Sequence, residues 1–307
     1  MSLKENRFTG VLPAVLTPLK ADLTPDGALL AEHSKWLLAN GATGLAILGT
    51  TGEANSFSLK ERIRIIEGLV DAGVPAATLM PGTGSCSLTD AVELTRVAVN
   101  VGAGGVLMLP PFYYKNPSDA GLFAFFSEVI QRVGDPRLQI YLYHFPQMSA
   151  TPITYNLIEM LLKAYPDNIA GMKDSSNVFD NMSGAAKKFP GFHVLSGADD
   201  LMLPLLKDGG AGAITACANV CSAALGGLYQ AYRAGKDTAT LHQQVTAVRQ
   251  TFAKFPLQAG LKQVLARHTG DNRWLKLRPP LMLLSEADAK ALYAAFDAIG
   301  FDLPAAA

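Results

Sequence analysis

Eight short apolar runs recur along the chain, separated by stretches with helical spacing: VLPAVLT at 11–17, GLAILG at 44–49, AATLMPG at 76–82 and GVLMLP at 105–110, then LQIYLY at 138–143, IAGMK at 169–173, FHVLSG at 192–197 and AGAIT at 211–215. Each run is continuous rather than alternating, the pattern of parallel strands covered by helices outside and filled by side chains inside. The intervening stretches carry helix start signals. Ser58-Leu59-Lys60-Glu61 reads as a capping box, followed by Leu59, Ile63, Ile66 and Val70 on one face. Ser87 with Asp90 precedes Val92, Leu94 and Val97, and Asp26 can cap a helix holding Leu30, Leu37 and Leu38.

Strand and helix thus alternate eight times, which predicts an α/β fold with a parallel sheet. Eight repeats over roughly 220 residues fit a closed (β/α)8 TIM barrel better than an open doubly wound sheet. No GxGxxG turn follows the first run. Past residue 218 the pattern turns wholly helical, near 221–233, 236–253, 258–268 and 286–298, with breaks at Gly235, Pro256, Gly270 and Pro279-Pro280. The expected organisation is a barrel over 1–220 and a C-terminal helical extension over 221–307 packed on it.

Composition narrows the partners. With 49% hydrophobic and 17% charged residues, the chain should bury a substantial core. Lys plus Arg and Asp plus Glu each number 26, and no basic run is long enough to follow a phosphate backbone, so nucleic acid is not an expected partner. The N-terminal Met-Ser-Leu-Lys-Glu-Asn-Arg lacks the apolar stretch of a signal peptide, and no segment approaches ~18 uninterrupted apolar residues. A cytoplasmic protein without membrane association is expected. Cys86, Cys217 and Cys221 lack CxxC spacing and read as reduced thiols; the five His residues form no HxH or HExxH pair, so no metal is expected.

In a barrel, reacting groups sit at the C-terminal ends of the strands and in the loops that follow. Lys173 ends the sixth run behind small and apolar residues that disfavour its ammonium form, leaving a free amine to attack a carbonyl. Pairing with Asp174 at a strand end is the other reading of this lysine. Tyr143 ends the fifth run, where its phenol could pass protons to a substrate oxygen or simply serve as a core aromatic. After the second run, Gly49-Thr50-Thr51-Gly52-Glu53 offers a tight turn with two hydroxyls and exposed N–H groups, a cradle for a carboxylate.

In combination these pieces resemble the dihydrodipicolinate synthase and N-acetylneuraminate lyase family of class I, Schiff-base-forming lyases. The resemblance runs through GTTGE at 49–53, LPPFYYKNP at 109–117, YHFP at 143–146, GMKDS at 171–175, and SGADD followed by GAGAITACANV up to Val220. It implies that Lys173 forms the Schiff base with a 2-oxo acid, that Tyr143 shuttles protons, and that Thr50 relays between Tyr143 and a second tyrosine, matched by Tyr114. In the synthase branch that second tyrosine reaches into a neighbouring subunit, and the family usually forms homotetramers built as dimers of dimers. Thr51 matches the hydroxyl that grips the substrate carboxylate, beside Gly52, and Ile214 the residue whose main chain lines the pyruvate pocket. The imine is itself the electron sink, so the resemblance implies no cofactor.

One departure bears on substrate. The synthase branch carries an arginine for a distal carboxylate two positions after the proline of YHFP, whereas here Gln147 and Met148 follow Pro146. A thioether cannot replace a bidentate guanidinium. His144 stands where a smaller polar residue is usual; it either contacts the distal end of a substrate, takes part in proton transfer near neutral pH, or fills a structural role. The expected activity is therefore that of a carbon–carbon or carbon–oxygen lyase, an aldolase or dehydratase acting on pyruvate or a 2-oxo-3-deoxy sugar acid. The alternatives are 4-hydroxy-tetrahydrodipicolinate synthase, condensing pyruvate with aspartate semialdehyde, and a catalytically silent regulator that binds 2-oxo acids.

Overall fold

The computed structural model describes residues 7–303. Six parallel strands, β1 (Gly10–Pro13), β2 (Val106–Met108), β3 (Ile140–His144), β4 (Ile169–Asp174), β5 (His193–Ser196) and β6 (Gly212–Thr215), pair in the order β1-β6-β5-β4-β3-β2. The runs at 44–49 and 76–82 join this sheet through single parallel bridges, Ala14 to Ala46, Leu45 to Leu79 and Gly82 to Leu107. Parallel pairings therefore pass from β1 through both runs to β2, and the sheet curls back on itself. These two runs are shorter than full strands for local reasons. Leu48 adopts a left-handed conformation (φ 55°) that ends the first, while the second opens as a 3-10 turn at Ala76–Thr78 and contains Pro81, which has no N–H to donate.

Helices α1 (Gly27–Ala39), α2 (Leu59–Asp71), α3 (Leu88–Asn100), α4 (Asp119–Val133), α5 (Pro146–Ser149), α6 (Tyr155–Ala164), α7 (Phe179–Lys188) and α8 (Met202–Lys207) are interspersed with the strand segments. All three anticipated caps form: Asp26 accepts from the Leu29 N–H, Ser87 from the Asp90 N–H, and Ser58 and Glu61 complete a reciprocal capping box. On α2 the buried stripe is Ile65, Ile66 and Leu69, with Leu59, Ile63 and Val70 only half-buried. The helix is turned because buried Arg62 donates from Nη2 to the carbonyls of Gly82 (2.7 Å) and Gly84 (3.2 Å).

The C-terminal helices are α9 (Ala218–Arg233), kinked at Cys221, α10 (Ala239–Phe252), α11 (Leu257–Thr269) and α12 (Glu286–Ala298). They share one apolar core with β1, in which Val11 and Leu16 pack with Leu225, Leu261, Trp274 and Leu292. Asn219 fastens this junction. Its Oδ1 accepts from the Leu16 N–H (3.0 Å) and from His33 Nε2 (3.1 Å), and its Nδ2 donates to the carbonyls of Ala14 and Ala216, both at 2.8 Å. No helix among the described residues is long and apolar enough to cross a membrane.

The interior is filled from every side. One buried cluster takes Leu12 and Ala14, Ala46, Met80, Leu107, Tyr141 and Tyr143, Ala170, Leu195 and Ile214, at least one residue from each of the eight runs. Ile169 and Met172 of β4 belong instead to the outer cluster beneath the helices. Strict alternation would then send Lys173 outward with its neighbours of odd number. It does not, because β4 slips by one residue against β3: Ile140 faces Ile169, but Tyr141 faces Gly171 and Tyr143 faces Lys173. Such a bulge reverses the facing of everything beyond it. Gly171 permits it, since a Cβ there would lie 2.1 Å from the His193 carbonyl oxygen.

Gly171→Ala is accordingly expected to lower stability by about 1–3 kcal/mol, the usual cost of overpacking, and to misdirect Lys173; denaturant titration checks the first effect and covalent labelling of Lys173 the second. A pH dependence follows from His33. Burial depresses its imidazolium from 6.5 to about 4, whereas the unfolded chain protonates it near the upper value. Between these limits the unfolded state binds more protons, so stability should fall as the pH drops from about 6.5 to about 4. His33→Gln should flatten that slope in urea titrations, and an unchanged slope would exclude His33 as its source.

Candidate active site

β3 and β4 deliver Tyr143 and Lys173 side by side at the same height. Lys173 is 6% exposed and Tyr143 4%. The lysine Nζ donates to Tyr143 Oη at 3.3 Å and lies 4.4 Å from the ring centroid. Tyr143 Oη in turn lies 3.4 Å from Thr50 Oγ1, so amine, phenol and hydroxyl form a chain of three at the long end of the hydrogen-bond range. Asp174 does not take the amine. Its Oδ1 accepts from the Ser176 N–H at 2.8 Å and its Oδ2 from Asn181 Nδ2 at 2.7 Å. The strand-end ion pair allowed by the sequence is thus replaced by a carboxylate that shapes the turn after β4, and Lys173 keeps its amine on the interior face.

The turn after the second run is held on several sides. Thr17 Oγ1 donates to the Gly52 carbonyl at 2.8 Å, and a Cβ on Gly52 would come within 2.7 Å of the Val15 carbonyl oxygen. Glu53 is left-handed at φ 57°, uncommon for a residue with a side chain. Its buried carboxylate, at 3% residue exposure, receives Lys262 Nζ at 2.6 Å on Oε1 and the Arg278 N–H at 2.9 Å on Oε2. Thr51 is buried beside Thr50, which is half-buried. A small cavity lined by Thr50, Tyr143, Asn55, Arg62 and Leu109 adjoins the pair.

Ile214, on β6, is fully buried in the same interior cluster as Tyr143. Three other predicted residues lie apart from this group. His144 pairs in register with Asp174, and its Nδ1 accepts from the Ile153 N–H at 3.0 Å. Burial lowers its proton affinity, with Asp174 opposing. Its ring therefore pins the loop leading to α6. Met148, on α5, is 59% exposed, and Tyr114 is 79% exposed, set edge-to-face against Tyr113 at 5.3 Å. Both follow interior strands but turn out toward solvent within one chain.

The Glu53–Lys262 pair escaped sequence reasoning, since 209 residues separate its members. A usable signal was present: Lys262 is the lone charge within the apolar stretch Leu261, Val264 and Leu265 of α11. Asp199, after β5, lies in the SGADD motif, but the sequence assigned it no role. It accepts from Thr215 Oγ1 at 2.7 Å, and burial raises its carboxyl. Beside it the Cys217 and Cys221 thiols are pushed well up by burial, which makes them inert rather than nucleophilic. All three cysteines are free, and among the described residues no cluster of His, Cys, Asp and Glu is placed to hold a metal.

The model of the dihydrodipicolinate synthetase family matches residues 7–299. An uncharacterized DapA-like lyase from Chloroflexus aurantiacus is 34% identical over 292 residues, covering 94% of this chain and 96% of the relative. A 4-hydroxy-tetrahydrodipicolinate synthase from Methanococcoides burtonii is 35% identical, over 93% of this chain and 96% of its own. Among solved structures, a prophage protein of the dihydrodipicolinic acid synthase family from E. coli K12, in complex with pyruvate, superposes with a TM-score of 0.87 at 28% identity, covering 95% of this chain and 99% of that one. A match of this extent, over a curled parallel sheet that carries a buried lysine beside a tyrosine, makes the chain a member of the dihydrodipicolinate synthetase family.

Proposed function

We propose that this chain is a class I aldolase-type lyase that forms a Schiff base between Lys173 and pyruvate or a 2-oxo-3-deoxy sugar acid. The observation that carries the reading is the Lys173–Tyr143–Thr50 chain, with Asp174 engaged elsewhere. The amine adds to the C2 carbonyl, and the resulting carbinolamine loses water to give a protonated imine. That imine draws in electrons from C3, so the C3–C4 bond can break as the C4 hydroxyl gives up its proton and an aldehyde leaves, or form in the reverse step; alternatively, with that bond intact, C3 loses a proton and C4 its hydroxyl, which together leave as water. Tyr143 would move the protons these steps require, and Thr50 would pass them on. Thr51 and the Gly52 turn would hold the substrate carboxylate, and Ile214 would line the pocket. The imine supplies the electron sink, so the reading calls for no cofactor.

The wider reading treats the curled sheet as a complete (β/α)8 barrel over residues 1–220, with a helical extension over 221–307 that begins at the kink in α9. Tyr114 would complete the proton relay from a neighbouring copy, in a homotetramer built as a dimer of dimers, and its outward position supports that role. A cytoplasmic location suits a small 2-oxo acid substrate. The second reading is the synthase reaction, favoured by the name of the M. burtonii relative and opposed by exposed, uncharged Met148 where a guanidinium would bind the second substrate's carboxylate.

Pyruvate with borohydride should add a stable mass to Lys173 and abolish turnover, while Lys173→Ala should take up no mass and lose activity. Supplied with a set of 2-oxo-3-deoxy acids, the protein should release pyruvate or a dehydrated 2-oxo acid from at least one of them. An unmodified parent, or a fully active Lys173→Ala variant, would sink the mechanism. Tyr114→Phe should slow turnover by about 10²-fold or more, in the range for a lost proton-transfer group. Normal activity in a chain that stays monomeric in sedimentation would rule out its role across an interface.

A further inference from the structure

The turn that carries both threonines is tied to a distant part of the chain by more than packing. Glu53 and Lys262 are both fully buried at their side chains, with Nζ and Oε1 2.6 Å apart. The remaining partners are equally specific. Lys262 Nζ also donates to the Lys276 carbonyl at 2.7 Å, and the second carboxylate oxygen of Glu53 accepts the Arg278 N–H at 2.9 Å. Gln258, at the start of α11, reaches the Thr50 carbonyl at 3.4 Å.

Cohesion alone does not account for this arrangement. A buried ion pair gives up the hydration of both charges, and apolar side chains of similar volume often stabilise as well or better. What the pair supplies is direction. Donors from two segments fix both carboxylate oxygens, and so fix the orientation of a residue whose backbone sits in the sparsely populated left-handed region, two positions after Thr51. Strain of this kind persists only where surrounding structure over-determines it.

We infer that Glu53, Lys262 and the Lys276–Arg278 backbone form a positioning device for Thr50 and Thr51, which makes α11 and the segment after it part of the active site. The inference rests on the carboxylate-binding and relay roles given to those threonines above. Glu53 and Lys262 touch no substrate in this scheme; they act through the turn.

The test is the pyruvate concentration giving half-maximal borohydride trapping on Lys173, measured beside turnover in the full chain. The variant is Glu53→Gln with Lys262→Met, which removes both charges and leaves none uncompensated. It should fold, as circular dichroism will show, and need at least about tenfold more pyruvate, as expected for a displaced contact. Adding Thr51→Val should then raise the requirement little further, although Thr51→Val alone raises it fully. A merely structural pair would leave the Thr51→Val effect undiminished. Should the double variant fail to fold, Gln258→Leu loosens the same turn with the buried charges intact, and about a threefold rise is expected. Unchanged half-saturation in a folded variant, or an undiminished Thr51→Val effect, overturns the inference. A parent that pyruvate and borohydride fail to modify overturns the reading of the site and this inference with it; a modified parent beside an unchanged variant overturns this inference alone.

Discussion

Lys173 points into the sheet's interior because β4 slips one residue against β3 at Ala170 and Gly171. Everything proposed for the site depends on that slip. Without it, the alternation set by Ile169 outside and Ala170 inside would place Lys173 under the helices, in apolar surroundings where an unpaired ammonium is costly to bury. With it, the amine enters a cluster contributed by all eight runs, beside the one phenol at its own height. The slip needs a residue without a side chain against the His193 carbonyl, and so the chemistry of residue 173 rests on the absence of a Cβ two positions earlier.

The same logic recurs at the two-threonine turn. Thr17 holds the Gly52 carbonyl from one side, Gly52 lies against the Val15 carbonyl, and the Glu53 carboxylate is anchored by Lys262 and Arg278 from the other. Arg278 continues the work outward, donating from Nη1 to the Ser56 carbonyl and pairing through Nη2 with Glu61, the residue that closes the capping box of α2. One arginine thus couples a helix start, the two-threonine turn and the C-terminal segment. Neither the strands nor the helices alone could fix Thr50 against Tyr143; the contact is a product of long-range closure.

This explains what could and could not be read from the sequence. The eight runs, the caps at Asp26, Ser58 and Ser87, and the C-terminal helices are local patterns, and the structure carries them near the expected positions. Lys173, Tyr143 and Thr50 were legible because strand ends in such a sheet converge, so position along the chain implied position in space. The rotated stripe of α2 was not, because it answers to Arg62 reaching carbonyls 20 and 22 residues away. His144 was ambiguous in sequence because its partner, the Ile153 amide, lies in a loop with no pattern of its own. Gly171 did carry a signal, since a glycine inside a strand marks a bulge or a close backbone approach, and here it marks both.

The two ends of the site are built to different tolerances. Around the amine, Lys173, Tyr143, Thr51 and Ile214 are buried, and their backbones are locked by strand pairing or by the clamped turn. Farther out, Tyr113, Tyr114, Met148 and Val178 sit on loops or a four-residue helix and are more than half exposed. A rigid inner end suits a step common to many substrates, namely condensation of an amine with a 2-oxo acid. An outer end of exposed loop residues can change without disturbing that step, because no hydrogen bond of the inner chain passes through it. Met148 stands in this outer region, on a four-residue helix and more than half exposed, so a side chain there can differ without disturbing the Lys173–Tyr143 contact. The exposed outer residues are held by few contacts of the fold, whereas the inner ones are oriented by strand pairing and by the clamped turn.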